Sequence, residues 1–239
     1  MPDYTPLNTY EGLAKMIDHS LLRPELAQDR VLEGCRIARE YNVASVCVRP
    51  ADVETAVRAL DGSGVAVGSV AGFPHGGHTI PVKVFEARDL ISRGAAEVDM
   101  VLNIGRLLSR DFAYIEAELA QMAAACHEKG VILKVIFENA YLTDDLKIAA
   151  CEIATKTGCD FVKTSTGFAP GGATLDDLRL MRRHSGPNVR IKAAGGVRTL
   201  DQALAVHEAG CSRFGATATA VILDEWRKRL SGRAGVRGA

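Results

Sequence analysis

The chain carries no apolar run long enough to cross a bilayer and no net charge, with 29 Lys and Arg against 29 Asp and Glu. The first lack excludes a membrane-spanning helix. The second removes the basic field that nucleic-acid binding needs, so neither nucleic acid nor membrane is an expected partner. Met1-Pro2-Asp3-Tyr4-Thr5-Pro6 has none of the basic-then-apolar pattern of a secretory signal. Aromatic residues make up only 5% of the chain, which leaves Ala, Val, Leu and Gly to build a closely packed helix-on-sheet core. Cys-x-x-Cys pairs are missing although six cysteines occur, Cys35, Cys47, Cys126, Cys151, Cys159 and Cys211. The histidines, His19, His75, His78, His127, His184 and His207, are scattered. No metal site is expected from such spacing, and free thiols without a signal imply a reducing, cytoplasmic setting. No Pro- or Ser-rich linker divides the 239 residues, so one domain is expected over 1–239. The one basic stretch, Arg227-Lys228-Arg229 to Arg233 and Arg237, reads as a frayed helix end and a flexible tail over 231–239.

What is present is alternation. After a short opening helix over 9–15, strand patterns fall at 16–20, 44–48, 65–70, 97–102, 133–138, 161–165, 190–194 and 212–216. Helical patterns fall between them at 24–41, 81–93, 115–129, 144–157, 175–184 and 200–209. Thr174 to Asp177 and Thr199 to Gln202 fit a capping box, and Gly94, Gly130, Gly158 and Gly210 stand where left-handed helix ends are needed. Eight strand-then-helix units predict a (β/α)8 TIM barrel over about 16–230. The alternative, an open doubly wound sheet, lacks the Gly-x-Gly-x-x-Gly that would follow its first strand.

Alternate residues of a strand face opposite ways. In 97–102 the polar set is Glu97 and Asp99; in 133–138 it includes Lys134 and Glu138. The first strand sets Asp18 and Ser20 against Ile17 and His19, and the second sets Ser45 and Cys47 against Val46 and Val48. Lys163 and Lys192 oppose Val162 and Ile191. The apolar sets must meet the helices, so the barrel interior is expected to hold Asp18, Glu97, Asp99 and Glu138 against Lys134, Lys163, Arg190 and Lys192. A structural ion-pair network is one reading of this set. Burying so many charges stabilises poorly compared with apolar packing, so a functional cluster is the better one.

Lys163, in Phe161-Val162-Lys163-Thr164-Ser165-Thr166-Gly167-Phe168, and Lys192, in Ile191-Lys192-Ala193-Ala194-Gly195-Gly196, end consecutive strands. Two ammonium groups that close, partly desolvated, disfavour each other's charge, and a neutral lysine is a nucleophile toward carbonyls. Asp99 is placed to exchange protons with them or to hold their charge state. Asp18, Ser20, Cys47 and Lys134 face the same interior and are candidate substrate contacts, although a buried Cys is usually a small hydrophobe. Thr166-Gly167, Gly195-Gly196 and Gly215-Ala216-Thr217 follow strands six, seven and eight. Such loops bind phosphate through backbone N–H groups in barrels of this kind.

Together with Ile17-Asp18-His19-Ser20, Gly72-Phe73-Pro74-His75-Gly76, Glu97-Val98-Asp99-Met100 and Leu133-Lys134-Val135-Ile136, these motifs resemble the deoxyribose-phosphate aldolase family from about residue 16 to about 220. The resemblance implies reversible cleavage of 2-deoxy-D-ribose 5-phosphate to D-glyceraldehyde 3-phosphate and acetaldehyde without a metal or organic cofactor. By position it makes Lys163 the Schiff-base lysine, Lys192 the partner that lowers its pKa, and Asp99 the acid/base working with Lys192. It assigns Gly167, Gly195, Gly196 and Gly215 to the phosphate loops. Gly215-Ala216-Thr217-Ala218 departs from the family's usual Gly-(Ala/Thr)-Ser-Ser or Gly-Thr-Ser-Ala-like run, and His19-Ser20 is a mild change from the common His-Thr. Two other functions fit the residues alone: a phosphosugar isomerase without a covalent adduct, and a non-catalytic phosphosugar-binding protein. Apolar helix faces allow a homodimer.

Overall fold

The computed structural model describes residues 7–236. Eight parallel strands close into a barrel in sequence order: β1 (Ile17–Leu21), β2 (Ser45–Val48), β3 (Ala66–Ala71), β4 (Glu97–Val101), β5 (Ile132–Ile136), β6 (Phe161–Lys163), β7 (Arg190–Ala193) and β8 (Arg213–Ala216). Around it lie α1 (Tyr10–Ala14), α2 (Gln28–Glu40), α3 (Val53–Leu60), α4 (Ile80–Ser92), α5 (Ile104–Leu108), α6 (Phe112–His127), α7 (Asp144–Lys156), α8 (Leu175–His184), α9 (Leu200–Glu208) and α10 (Thr219–Val236). Among the described residues no helix is long and apolar enough to cross a membrane. The tail expected over 231–239 is helical as far as Val236, and 237–239 lie outside the described residues, as does the 1–6 segment.

Strand parity sorts the side chains. Leu133, Val135 and Phe137, like Val46, Val98 and Ile191, join one apolar cluster between sheet and helices. Each such side chain contributes about 1.5–3 kcal/mol on burial. Trp226 of α10 closes the base of this layer by donating from Nε1 to the Thr9 carbonyl (2.9 Å), which ties the last helix to the first. All six cysteines are buried and unpaired.

Helix ends follow local chemistry. Thr199 forms the full capping box with Gln202. Thr174 caps α8 by accepting from the Asp177 N–H, but the box is not completed. The Asp177 carboxylate instead accepts from Lys147 at 2.6 Å. Gly94, Gly130, Gly158 and Gly210 all take positive φ at helix ends, as expected.

Strand six stops at Lys163, two residues short of expectation, because a side chain takes over from the ladder. Thr164 Oγ1 donates to the Ala194 carbonyl (3.1 Å) and accepts from the Ala194 N–H (3.0 Å). The strand therefore ends with Lys163 aimed inward and the chain free to turn into its loop.

Candidate active site

The register sets Lys163 directly opposite Lys192 and Asp99 opposite Lys134. One carboxylate joins the three lysines. Asp99 Oδ2 accepts from Lys163 Nζ and from Lys192 Nζ, each at 2.7 Å, while Oδ1 accepts from Lys134 Nζ at 2.9 Å. Lys134 also donates to Glu97 (2.6 Å), and Lys192 makes a 2.5 Å ionic contact with Asp18 that is not an aligned hydrogen bond. Beneath them the Arg213 guanidinium bridges Asp18 and Glu97. Asp99 is wholly buried and Lys163 only 4% exposed.

The cation expected from strand seven comes from strand eight. Arg190 is exposed and stacks over the Phe161 ring at 4.0 Å, since it starts its strand and reaches the base of the barrel rather than its centre. Glu138 is buried but joins no ion pair among the described residues. Its carboxylate accepts from the Thr166 N–H (3.2 Å) and from the Thr166 hydroxyl.

Partner number orders the lysines. Lys134 contacts three carboxylates, Lys192 two, and Lys163 only Asp99, which it shares. Burial opposes charge on all three. For Lys134 the carboxylates Asp18, Asp99 and Glu97 outweigh it and raise the pKa well above the ordinary value; for Lys192, Asp18 and Asp99 outweigh it too and the pKa is raised. For Lys163 burial wins over Asp99, Lys192's charge adds to it, and the pKa falls. Asp99 is held well below the usual carboxylate range, because Lys134, Lys163 and Lys192 together exceed the cost of its burial. Four inner cations face three carboxylates, so the cluster is balanced when Lys163 is neutral.

Above lies a cavity of about 220 Å³ at the C-terminal ends of the strands, where barrels of this type hold their active sites. Lys163, Lys192, Asp18 and Cys47 form its floor; Ser20, Thr166, Gly167, Gly195, Gly196, Gly215, Ala216 and Thr217 line its walls. Burial, with Asp99 adding to it, pushes the Cys47 thiol up to about 11. Gly195 has φ +82, and a Cβ there would sit 2.9 Å from the Gly172 Cα, so both conformation and contact demand glycine.

Residues 13–228 match the family described as DeoC/LacD family aldolase. The chain belongs to the DeoC/LacD aldolase family. It is 48% identical over 230 residues to the deoxyribose-phosphate aldolase of Rhodopirellula baltica, covering 96% of this chain and 94% of that one. To the deoxyribose-phosphate aldolase of Clostridium perfringens it is 50% identical over 214 residues, covering 90% and 95%. Among solved structures, the deoxyribose phosphate aldolase from Aeropyrum pernix, described as tetrameric, matches with a TM-score of 0.85 at 27% identity, over 92% of this chain and 93% of that one. Family membership makes the chain an aldehyde-lyase and sets aside the isomerase and the non-catalytic binder.

Two of the expected site residues do not reach the aldolase cavity. Asp99 and Lys134 lie below its floor, and Lys134, expected to touch substrate, spends its donors on carboxylates. Other residues, to which the sequence had assigned no role, also line the mouth: Arg23, Phe168, Gly171 and Arg198. Phe168 packs edge-on against Phe73 (5.3 Å) and lies under the Arg23 guanidinium (5.5 Å). Arg198 directly follows the Gly195-Gly196-Val197 turn, and that adjacency was its one sequence signal. Arg23 had none.

Proposed function

We propose that this aldolase cleaves 2-deoxy-D-ribose 5-phosphate through a Schiff base on Lys163. The observation that carries the reading is the partner count: Lys163 alone of the three inner lysines has a single, shared carboxylate, and it faces the cavity. Its amine is thereby the one inclined to be neutral, and a neutral amine is needed to attack a carbonyl.

The amine adds to the sugar aldehyde, and the Lys192 ammonium gives a proton to the departing hydroxyl, which leaves as water. The resulting iminium withdraws electrons. Lys192, now neutral, takes the proton of the C3 hydroxyl, and the pair from the C2–C3 bond moves into the iminium. Glyceraldehyde 3-phosphate departs and leaves an enamine on Lys163, which is protonated at C2 and hydrolysed to acetaldehyde. Asp99 accepts hydrogen bonds from both lysines through one oxygen and so couples their charge states. The Gly167, Gly195-Gly196 and Gly215-Ala216-Thr217 loops take the phosphate. Arg23 and Arg198, neither paired with a carboxylate among the described residues, stand at the same mouth to supply positive charge.

Borohydride reduction in the presence of acetaldehyde is expected to fix a two-carbon adduct on Lys163, located by peptide mass. Lys163→Ala should lose both the adduct and turnover; an active Lys163→Ala protein would refute the assignment. The phosphate loops predict a much lower KM for the phosphorylated sugar than for free 2-deoxyribose.

A further inference from the structure

The loops around the cavity mouth are tied down from behind. Glu138 follows β5 in a left-handed conformation (φ 58), which is unfavourable for a residue with a Cβ. It is 2% exposed and has no cationic partner among the described residues. Its carboxylate is occupied by the Thr166 N–H and hydroxyl, and Thr166 Oγ1 in turn accepts from the Phe168 N–H (3.0 Å). A buried carboxyl group held in a strained backbone needs a compensating role elsewhere. What it gains here is a fixed path for Thr166-Gly167-Phe168.

On the other flank, His19 points outward from β1, between the cavity residues Asp18 and Ser20. Its Nδ1 is hydrogen-bonded to Thr219 Oγ1 at 2.8 Å across 200 residues of chain, and both side chains are buried. Thr219 opens α10, two residues after Thr217 at the cavity wall. The middle of the arc is joined by backbone: the Ala173 N–H donates to the Ala194 and Gly195 carbonyls, each at 3.0 Å.

We propose that Glu138 and His19 are positioning residues for the anion cradle, a two-sided clasp lying outside the cavity that fixes the loops after β6 and β8 before substrate arrives. The inference rests on the aldolase reading. Backbone N–H groups bind an anion well only when already aimed, since loop ordering on binding subtracts from affinity. Neither Glu138 nor His19 lines the cavity, so loss of either bond acts on the phosphate end and spares the lysines.

The test uses Thr219→Val, which removes the hydroxyl at nearly constant volume, and Glu138→Gln, which keeps one acceptor of two. Each is expected to raise KM for 2-deoxyribose 5-phosphate about tenfold and to weaken inhibition by inorganic phosphate equally, with kcat and the turnover of free 2-deoxyribose within about twofold of the parent. Thr219→Ser and His19→Asn retain the bond and should behave as the parent. His19→Leu breaks it from the other partner should Thr219→Val fail to fold. Unchanged phosphate inhibition overturns the proposal, as does an equal fall with both sugars. Tighter phosphate binding in Glu138→Gln would make that carboxylate an electrostatic brake and overturn it too, and an effect on one flank alone would dissolve the two-sided clasp. A parent protein that does not prefer the phosphorylated sugar would instead count against the phosphate reading itself.

Discussion

One oxygen of Asp99 sets the charge of two lysines, and the consequence is measurable at the level of single side chains. Removing Lys192 takes a positive neighbour from Lys163 and leaves it a larger share of Asp99. Both changes favour its ammonium. Lys192→Met should therefore move the acid limb of borohydride trapping to higher pH, because the amine becomes neutral only at a higher pH. A limb that stays put or moves toward acid would show that Lys192 does not depress Lys163. The variant should also lose about 3 kcal/mol or more of stability, since Asp18 and Asp99 remain buried with one cation fewer. Strand parity was enough to place Asp18, Asp99, Lys163 and Lys192 in one interior. It could not show that burial outranks Lys192 in lowering Lys163, nor that Arg213 rather than Arg190 completes the set. Parity says which way a residue faces and not how deep along the barrel axis it lies.

Between elements, the pair Lys83–Glu118 does for α4 and α6 what the inner cluster does for the strands. Both side chains are fully buried, 2.7 Å apart. Lys83 also donates to the Val101 carbonyl (2.7 Å), and Glu118 accepts from the Asn103 N–H (2.8 Å), so the pair clamps the end of β4 just beyond Asp99. Burial lowers the pKa of Lys83 and raises that of Glu118 against their mutual attraction. Lys83→Met should cost about 3–5 kcal/mol in urea unfolding, and adding Glu118→Leu should recover most of it, since the penalty is the orphaned charge. A double variant no more stable than the single one would contradict that account. Nothing in the sequence distinguished these two charges from ordinary helix surface. The helices α3 and α5 went unnamed, and α10 was read only as a frayed helix end, for related reasons. Val53, Thr55 and Val57 give α3 a β-branched composition suited to strands, yet burial of Val53, Ala56 and Leu60 holds it helical. Gly232 and Gly235 weaken the pattern of α10, whereas α8, with polar and apolar faces plainly separated, was legible to the residue.

The whole molecule carries its pH response in two windows. His19 is pushed by burial from 6.5 to about 4. The unfolded chain then binds the extra proton, and stability falls as pH drops between those values, by roughly 3 kcal/mol in all. Asp18 and Asp99 have folded pKa values below the ordinary 3.8, as Lys134 and Lys192 among others outweigh the cost of burial. Their contribution is complete above that value and is lost as pH falls through the depressed ones. Thermal melts against pH should show two declines, and His19→Asn, with no titrating ring, should flatten the upper one only. The inner cluster has a further consequence for the reaction. It is electrically even while Lys163 is an amine, and it stays even when the protonated Schiff base forms, because the proton that expels water comes from the neighbouring Lys192 ammonium. The positive charge is moved between two nitrogens that share one Asp99 oxygen and is never added to the barrel, so a single anion serves as counter-ion throughout and the substrate's phosphate at the mouth is left to act on binding alone.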